Sequence, residues 1–297
     1  MSKKFYWTTK IFQSTNNPFS VLLFRLGVFS ECECDFRQLG VVKLTKRDIE
    51  SGLFPALLSI SPHKLNINWK VAKLLVDQKD KEVINIKPLN LKIMNVALSS
   101  FFETFVEEPY HVPSTDKDKI VIDIGGNVGD TALYFANKGY RVYSFEPIPE
   151  VYQVALKNIK LNSHLADKIT FVNKAVNSKE GRAKISYQGL NKGGESSILI
   201  KADNALEVNT ITLKRILKQY EIEDPYLLKM DCEGCEYKII KEQDLQMFNK
   251  IILEYHTFLI KKPPETIIEK LKNEDFKIEK RMDNRFLGIS ILHFSKK

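Results

Sequence analysis

The stretch Ile120-Val-Ile-Asp-Ile-Gly-Gly-Asn-Val-Gly-Asp-Thr131 decides how the rest of this chain is read. Four apolar residues around one acid, Ile120 to Ile124, predict a short strand buried on both faces. Gly125, Gly126 and Gly129 predict a tight turn where backbone can approach a ligand closely, and Thr131, Ala132, Leu133, Phe135 and Ala136 open an amphipathic helix. Strand, glycine turn and helix form the first unit of a nucleotide-binding α/β fold. A second predicted strand, Arg141 to Phe145, ends in Glu146-Pro147. A carboxylate at that strand tip is placed to accept hydrogen bonds from two ribose hydroxyls.

The glycine spacing departs from the dinucleotide pattern G-x-G-x-x-G, whose three positions hold Gly125, Asn127 and Asp130 here. Asp123, just before the loop, would face a docked pyrophosphate with like charge. S-adenosylmethionine (SAM) has no phosphate and carries an ammonium and a sulfonium, so an acid beside the loop favours it. The cofactor set expected on this reading is Asp123, Gly125, Gly126, Asn127, Gly129, Asp130, Thr131, Glu146 and Pro147, with Ala175 past the third strand. An NAD(P)-dependent oxidoreductase with a degenerate loop is the alternative, as is a SAM-binding protein without turnover.

The 297 residues, 43% hydrophobic and 28% charged, fit a globular α/β domain with an extension. The net charge of +8 is spread evenly: residues 1–119 hold 17 Lys/Arg against 13 Asp/Glu, and residues 120–297 hold 28 against 24. No arginine-rich block marks a nucleic-acid partner, and none is expected. Val21 to Phe24 is cut by Arg25, which argues against a secretory signal or a membrane span and for a cytoplasmic protein. That segment allows a peripheral membrane contact but is too short to anchor the chain alone. The cysteines fall in pairs, Cys32/Cys34 and Cys232/Cys235. Cys-x-Cys is a poor zinc knuckle, so all four are expected to be reduced, unbridged and free of metal.

Residues 1–115 read as an N-terminal α+β extension that shapes the acceptor site, and residues 116–297 as the cofactor-binding domain. In the extension, Val41–Leu44 and Val83–Ile86 read as strands, Ile49–Leu58 and Val71–Val76 are mixed, and Asn90 to Phe105 reads as helix or coil. Pro109, Pro113 and the charged run up to Lys119 mark a linker. Beyond it, strands are expected at Ile120–Ile124, Arg141–Phe145, Ile169–Val172, Tyr226–Met230 and Ile251–Glu254, with helices between them. Lys277–Met282 and Ile289–Phe294 close the chain as a hairpin. This is a doubly wound, mostly parallel sheet with a terminal antiparallel hairpin. An insertion before the fourth strand carries strand-like pieces, Ala183–Tyr187 and Ser197–Ile200, around a Gly193-Gly194-Glu195-Ser196-Ser197 loop.

Ligands in such sheets lie at the carboxyl ends of the strands. The fourth end is the densest: Leu228-Lys229-Met230-Asp231-Cys232-Glu233-Gly234-Cys235-Glu236. Glu236 reads as the start of the next helix, where its charge suits the dipole. Asp231 and Glu233 read as site residues, joined by Glu254 and His256 at the fifth strand end. His256 is the expected base, oriented by Glu254 or Asp231, while Lys229, Ser196 and Ser197 are expected to meet the substrate. No resident metal is expected.

The glycine loop, Phe145-Glu146-Pro147, Lys229-x-Asp231-x-Glu233-Gly234-x-Glu236 and Glu254-x-His256, in that order, resemble the FkbM family of SAM-dependent methyltransferases over residues 100–295. The resemblance implies a class I methyltransferase (Rossmann-like) fold and methyl transfer to an oxygen, on sugars, glycans or small natural products. Two departures stand out: Thr212-Leu213-Lys214 where the family commonly has Thr-Leu-Asp, and cysteines around Glu233-Gly234.

Overall fold

Seven strands make the principal sheet: β1 (Ile120–Ile124), β2 (Arg141–Phe145), β3 (Ile169–Val172), β4 (Pro225–Met230), β5 (Lys250–His256), β6 (Phe276–Asn284) and β7 (Ile289–Lys296). They lie in the order β6-β7-β5-β4-β1-β2-β3. The pairs from β5 to β3 are parallel, and β7 runs antiparallel between β5 and β6. The strand order reverses direction between β1 and β4, which is where an open α/β sheet forms its ligand crevice. The computed structural model describes residues 3–60, 67–115, 117–187, 189, 196–197, 205–284 and 288–297. Two compact units divide the chain: Met1–Pro109 with Gly189–Gly193, and Tyr110–Gln188 with Gly194–Lys297.

The larger unit holds this sheet. Its central strands are buried on both faces because helices cover both: α1 (Asp130–Asn137), α2 (Pro149–Leu161), α3 (Leu213–Gln219), α4 (Glu236–Glu242) and α5 (Glu265–Asn273). On one face Ile122, Ile124, Leu228, Met230, Ile251 and Leu253 are buried with Ile239, Ile240, Ile267 and Leu271. Pro149 sits in the first turn of α2, where its missing N–H costs nothing. Thr212 caps α3, its hydroxyl accepting from the Arg215 N–H at 3.2 Å, so that threonine acts as a helix start. The insertion forms a second sheet in which Ala205–Ile211 pairs antiparallel with Gly181–Tyr187 and parallel with Ala175–Val176. Ser196–Ser197 pairs with Tyr187 and Ser186 at its edge. The Gly193–Glu195 part of the expected loop and residues 198–200 lie outside the described residues.

The smaller unit is α+β. Two hairpins, Glu31–Phe36 with Gly40–Thr45 and Val83–Ile86 with Leu91–Met94, accompany helices at Lys3–Ser14, Pro18–Arg25, Leu53–Ser59, Trp69–Asp77 and Leu98–Phe102. The expectation of helix or coil from Asn90 is corrected for its first part: Leu91 and Ile93 are buried and Lys92 is exposed, a period of two that makes a strand. Cys32 and Cys34 obey the same period on Glu31–Phe36, and both are buried free thiols. Burial, followed by the neighbouring Cys32, pushes the Cys34 thiol well above its ordinary pKa. Among the described residues no helix is long and apolar enough to cross a membrane.

Candidate active site

A row of polar side chains crosses three apolar strands beneath the glycine turn. Lys229 of β4, Asp123 of β1 and Ser144 of β2 are register partners side by side, and none of the three is exposed. The Lys229 ammonium lies 3.1 Å from Asp123 Oδ1 and donates to the Gly125 carbonyl at 2.9 Å. Asp123 Oδ2 accepts from Ser144 Oγ and from Thr131 Oγ1, both at 2.7 Å. Burial alone would lower the Lys229 pKa, but Asp123 and Asp231 hold it above its ordinary value. Asp123, Thr131 and Lys229, expected from the sequence to meet cofactor or substrate, are engaged with one another and with the turn. They neutralise one another inside the sheet, where unpaired charge would be costly, and they pin the turn from below.

The turn itself is close-fitting. A Cβ on Gly125 would come within 1.7 Å of the Asp231 carbonyl oxygen, and one on Gly126 within 2.1 Å of Ser144 Oγ. The loop N–H groups are turned inward: those of Gly125 and Gly126 both donate to the Phe145 carbonyl, and that of Gly129 to the Gly126 carbonyl. Asn127 N–H donates to Glu146 Oε2 at 3.1 Å, and Ile148 N–H to Oε1 at 2.8 Å. A pyrophosphate would find these donors spent and Asp130 buried in the first turn of α1, whereas a ribose needs only the remaining lone pairs of Glu146. Burial pushes the Glu146 carboxyl up to about 8 despite those two backbone donors. Asn173, absent from the sequence reading, fixes this strand tip by donating to the Glu146 and Pro147 carbonyls at 2.9 and 3.0 Å. Ala175 is buried in the second sheet, three residues past β3.

At the ends of β4 and β5 the structure brings Asp231, Glu233, Glu254 and His256 together. His256 Nε2 lies 3.4 Å from Glu233 Oε2, 3.4 Å from Glu254 Oε1 and 3.9 Å from Asp231 Oδ1. Its Nδ1 is 3.2 Å from Oε1 of Glu236. Glu236 also accepts from the N–H groups of Cys232 and Gly234, each at 3.0 Å. Its place at the start of α4 is as expected from sequence, and the fully buried carboxylate does more there: it ties the loop to the histidine. Glu236 thus holds the ring at Nδ1 while Glu254, expected from sequence to orient it, lies at Nε2. Burial would lower the His256 pKa, but hydrogen bonds to Glu236 and Glu254 and the charge of Glu233 outweigh it, pushing it up to about 12. Held protonated, the ring offers no lone pair to a substrate proton, which weighs against the role of base expected for it. Burial, reinforced by the charges of Asp231, Glu254 and Glu236, pushes Glu233 up to about 8, although His256 pulls the other way.

Tyr110 is the second residue the sequence reading missed. Its hydroxyl lies 2.9 Å from Asp231 Oδ2 and 3.3 Å from Glu254 Oε2, and its ring packs 5.0 Å from the Lys229 ammonium. The segment read as a linker is tied to the large unit: Val112 and Pro113 carbonyls accept from Lys138 Nζ and Tyr140 Oη. Only the step from Pro109 to the apolar Tyr110 and Val112, both buried, signalled this in the sequence.

Glu233 adopts φ of +52° and Gly234 +110°, a left-handed pair that costs the glutamate about 1–2 kcal/mol. The turn brings the Cα atoms of Cys232 and Cys235 to 5.5 Å, and the two cysteines are bridged. This corrects the expectation of free thiols: the separation lies within the range a disulfide spans. Asp231, Glu233 and His256 offer ligand atoms within 4.8 Å of one another and could hold a divalent ion. Of the expected substrate contacts, the Ser196 and Ser197 side chains lie outside the described residues.

The sequence profile of the methyltransferase FkbM domain matches residues 123–278, just over half of the chain. A hexuronic acid methyltransferase, AglP, of Haloferax volcanii is 22% identical over 57% of this chain and 73% of its own length. The methyltransferase sdnD of Sordaria araneosa is 23% identical over 51% and 72%. Among solved structures, M. capricolum TrmK in complex with S-adenosylhomocysteine aligns over 64% of this chain and 66% of its own, at 12% identity and a TM-score of 0.42. The turn beneath Glu146, the acidic cluster at the β4 and β5 ends and the matched profile lead to one conclusion: the chain belongs to the FkbM family of SAM-dependent methyltransferases.

Proposed function

We propose that this enzyme methylates a hydroxyl oxygen on a sugar, a glycan or a small natural product. The observation that carries this reading is the cluster of Asp231, Glu233, Glu254 and Tyr110 around His256. The Asp231 carbonyl lies against Gly125 of the cofactor turn. Glu146 would take the ribose hydroxyls, with Gly125, Gly126, Asn127, Gly129 and Pro147 shaping the pocket wall. When bound, SAM supplies a methyl group already activated on sulfur, so the protein's main task is to position the acceptor.

Glu233 receives the acceptor's hydroxyl proton as the oxygen–carbon bond forms and the sulfur keeps the electron pair of the broken bond. Its raised pKa, about 8, makes it a stronger base than an ordinary carboxylate. Asp231 and Tyr110 hold the acceptor oxygen in line. His256 acts as a fixed cation that allows the acidic side chains to stand so close together. More carboxylates than cations surround the acceptor oxygen, which favours a neutral hydroxyl there. The name of one relative, a hexuronic acid methyltransferase, supports a sugar acceptor. The positive charge that a metal would bring is already supplied by His256, so turnover proceeds without one.

The test is transfer of labelled methyl from SAM to a panel of sugars, uronic acids and polyol natural products. The expected product is a base-stable methyl ether, absent with Glu233→Gln. A base-labile ester or a methylated amine would refute the oxygen-ether reading. SAM binding with no transfer in a single turnover would identify a binding protein instead.

A further inference from the structure

Seven of the twelve exposed large hydrophobic side chains among the described residues fall between Phe5 and Phe29. In Pro18–Arg25, Val21 and Phe24 face the unit's core, while Phe19, Leu23 and, just past the helix end, Leu26 follow one another at i, i+4 and i+7. They form a second apolar stripe, with Phe19 71% and Leu26 64% exposed. Phe12 of Lys3–Ser14 extends it: its ring meets that of Phe19 edge-on at 5.3 Å.

This surface is held in place. Val28 N–H donates to the Leu23 carbonyl and Gly27 N–H to that of Phe24. With Gly27 at φ +81° this is a closed Schellman turn, and it presents Leu26 and Val28 outward. Asn17 clamps the helix pair to the neighbouring strand by donating to the Glu33 carbonyl at 2.7 Å and accepting from Asp35 N–H at 2.9 Å. Arg25 stacks over Trp7 at 5.2 Å, tying the two helices together.

The charge of the same segment is one-sided. Residues 1–29 contain Lys3, Lys4, Lys10 and Arg25 and no Asp or Glu, although the rest of the chain mixes both signs. We propose that the helix pair Lys3–Ser14 and Pro18–Arg25 docks on an anionic lipid surface, its aromatic and aliphatic stripe lying in the headgroup region and its basic residues among the lipid phosphates. Apolar burial and attraction to anionic headgroups act together in such elements, and neither suffices alone. A second copy of the chain fits less well, because a two-fold contact would set four positive charges against the same four. A nucleic acid would use the charge but leave the apolar stripe in water. At 12 and 8 residues the helices can lie in the interface but not cross it.

Cosedimentation of the full chain with vesicles tests this. Binding is expected to rise at least about fivefold when about 30 mol% phosphatidylglycerol is added to phosphatidylcholine, and to fall back in about 0.5 M salt. The double variant Phe19→Ser/Leu23→Ser should lose most of it while keeping its thermal midpoint and SAM affinity. Should that variant not hold its fold, Leu26→Ser, at the exposed turn, must show a partial loss. Parental binding in a folded variant, or no pull-down by anionic vesicles, overturns the proposal. So does a lipid-free dimer, seen by analytical ultracentrifugation, that the same variants dissolve.

Discussion

Two groups of buried charge sit at neighbouring strand ends of one sheet, and they are built on opposite terms. Beneath the glycine turn, Asp123 meets one ammonium and two hydroxyls, and every partner is sealed from water. Around His256, four carboxylates and a phenol crowd one imidazole, and the side chains of Asp231 and Glu233 remain 26% and 30% exposed. The first group is neutral and closed, so it holds the fold. The second carries excess negative charge and an opening, so it favours a ligand that brings protons or hydroxyls. Stability should reside in one and turnover in the other.

The largest expected effect tests that division directly. Lys229→Met strands a buried carboxylate and should cost about 3–5 kcal/mol of stability in denaturant titration. Asp231→Asn and Glu233→Gln, which relieve crowding, should stay within about 1 kcal/mol of the parent or gain. A parental midpoint in Lys229→Met would erase the distinction.

Next in size is turnover. Glu233→Gln should lower kcat by about 10²-fold, close to 2.7 kcal/mol. With SAM saturating at every pH, the parent's kcat/KM for the acceptor should climb with pH until about 8 and then level, the range set by the Glu233 carboxyl, and the variant should lack that limb. His256→Ala should also lose rate, but through a loosened cluster, and should retain a pH limb. If the limb disappears in His256→Ala and survives in Glu233→Gln, the histidine is the base after all.

Ligand affinity comes third. Glu146→Ala should weaken SAM binding by about 1.5–3 kcal/mol. Burial raises the Glu146 carboxyl to about 8, so the free protein carries that proton at neutral pH. Ribose hydroxyls donate to the carboxylate, and SAM affinity should therefore increase as pH rises towards 8, with proton release seen by calorimetry in buffers of different ionisation enthalpy. The sign for ligand-free stability is the reverse. A carboxyl raised in the folded state stabilises fully below its ordinary pKa of 4.5 and loses that contribution as pH rises through about 8. Thermal midpoints should decline over that window. The smallest expected effect is none: exhaustive chelation should leave the methylation rate unchanged, whereas a loss restored by a divalent ion would give Asp231, Glu233 and His256 a metal to hold.

The sheet was legible because its strands are apolar runs punctuated by glycine and polar tips; β1, β2 and β3 fall on the expected residues. The helix and strand ends of the smaller unit were less so, since four-residue strands such as Leu91–Met94 offer too few periods to read. In the site, proximity was legible and direction was not. Sequence placed Asp123 beside the turn, but only the register with Lys229 and Ser144 reveals the partners that enclose it. Glu254 and His256 are two apart, so both reach the same strand end, yet the ring is held at Nδ1 by Glu236, twenty residues upstream. Tyr110 escaped notice because a contact 121 residues distant from Asp231 leaves no local pattern.

The missing Cβ of Gly125 has one more consequence. The glycine turn and the loop that follows β4 meet there with no room for a single carbon, the nearest atom being the Asp231 carbonyl oxygen at 1.7 Å from where that carbon would stand. Neither loop can be re-spaced without dislodging the other, so the gap bridged in each reaction is inherited as a constant. Diversification towards new acceptors must then proceed at segments outside this seam, and libraries aimed at altered selectivity should leave residues 123–129 and 229–236 untouched.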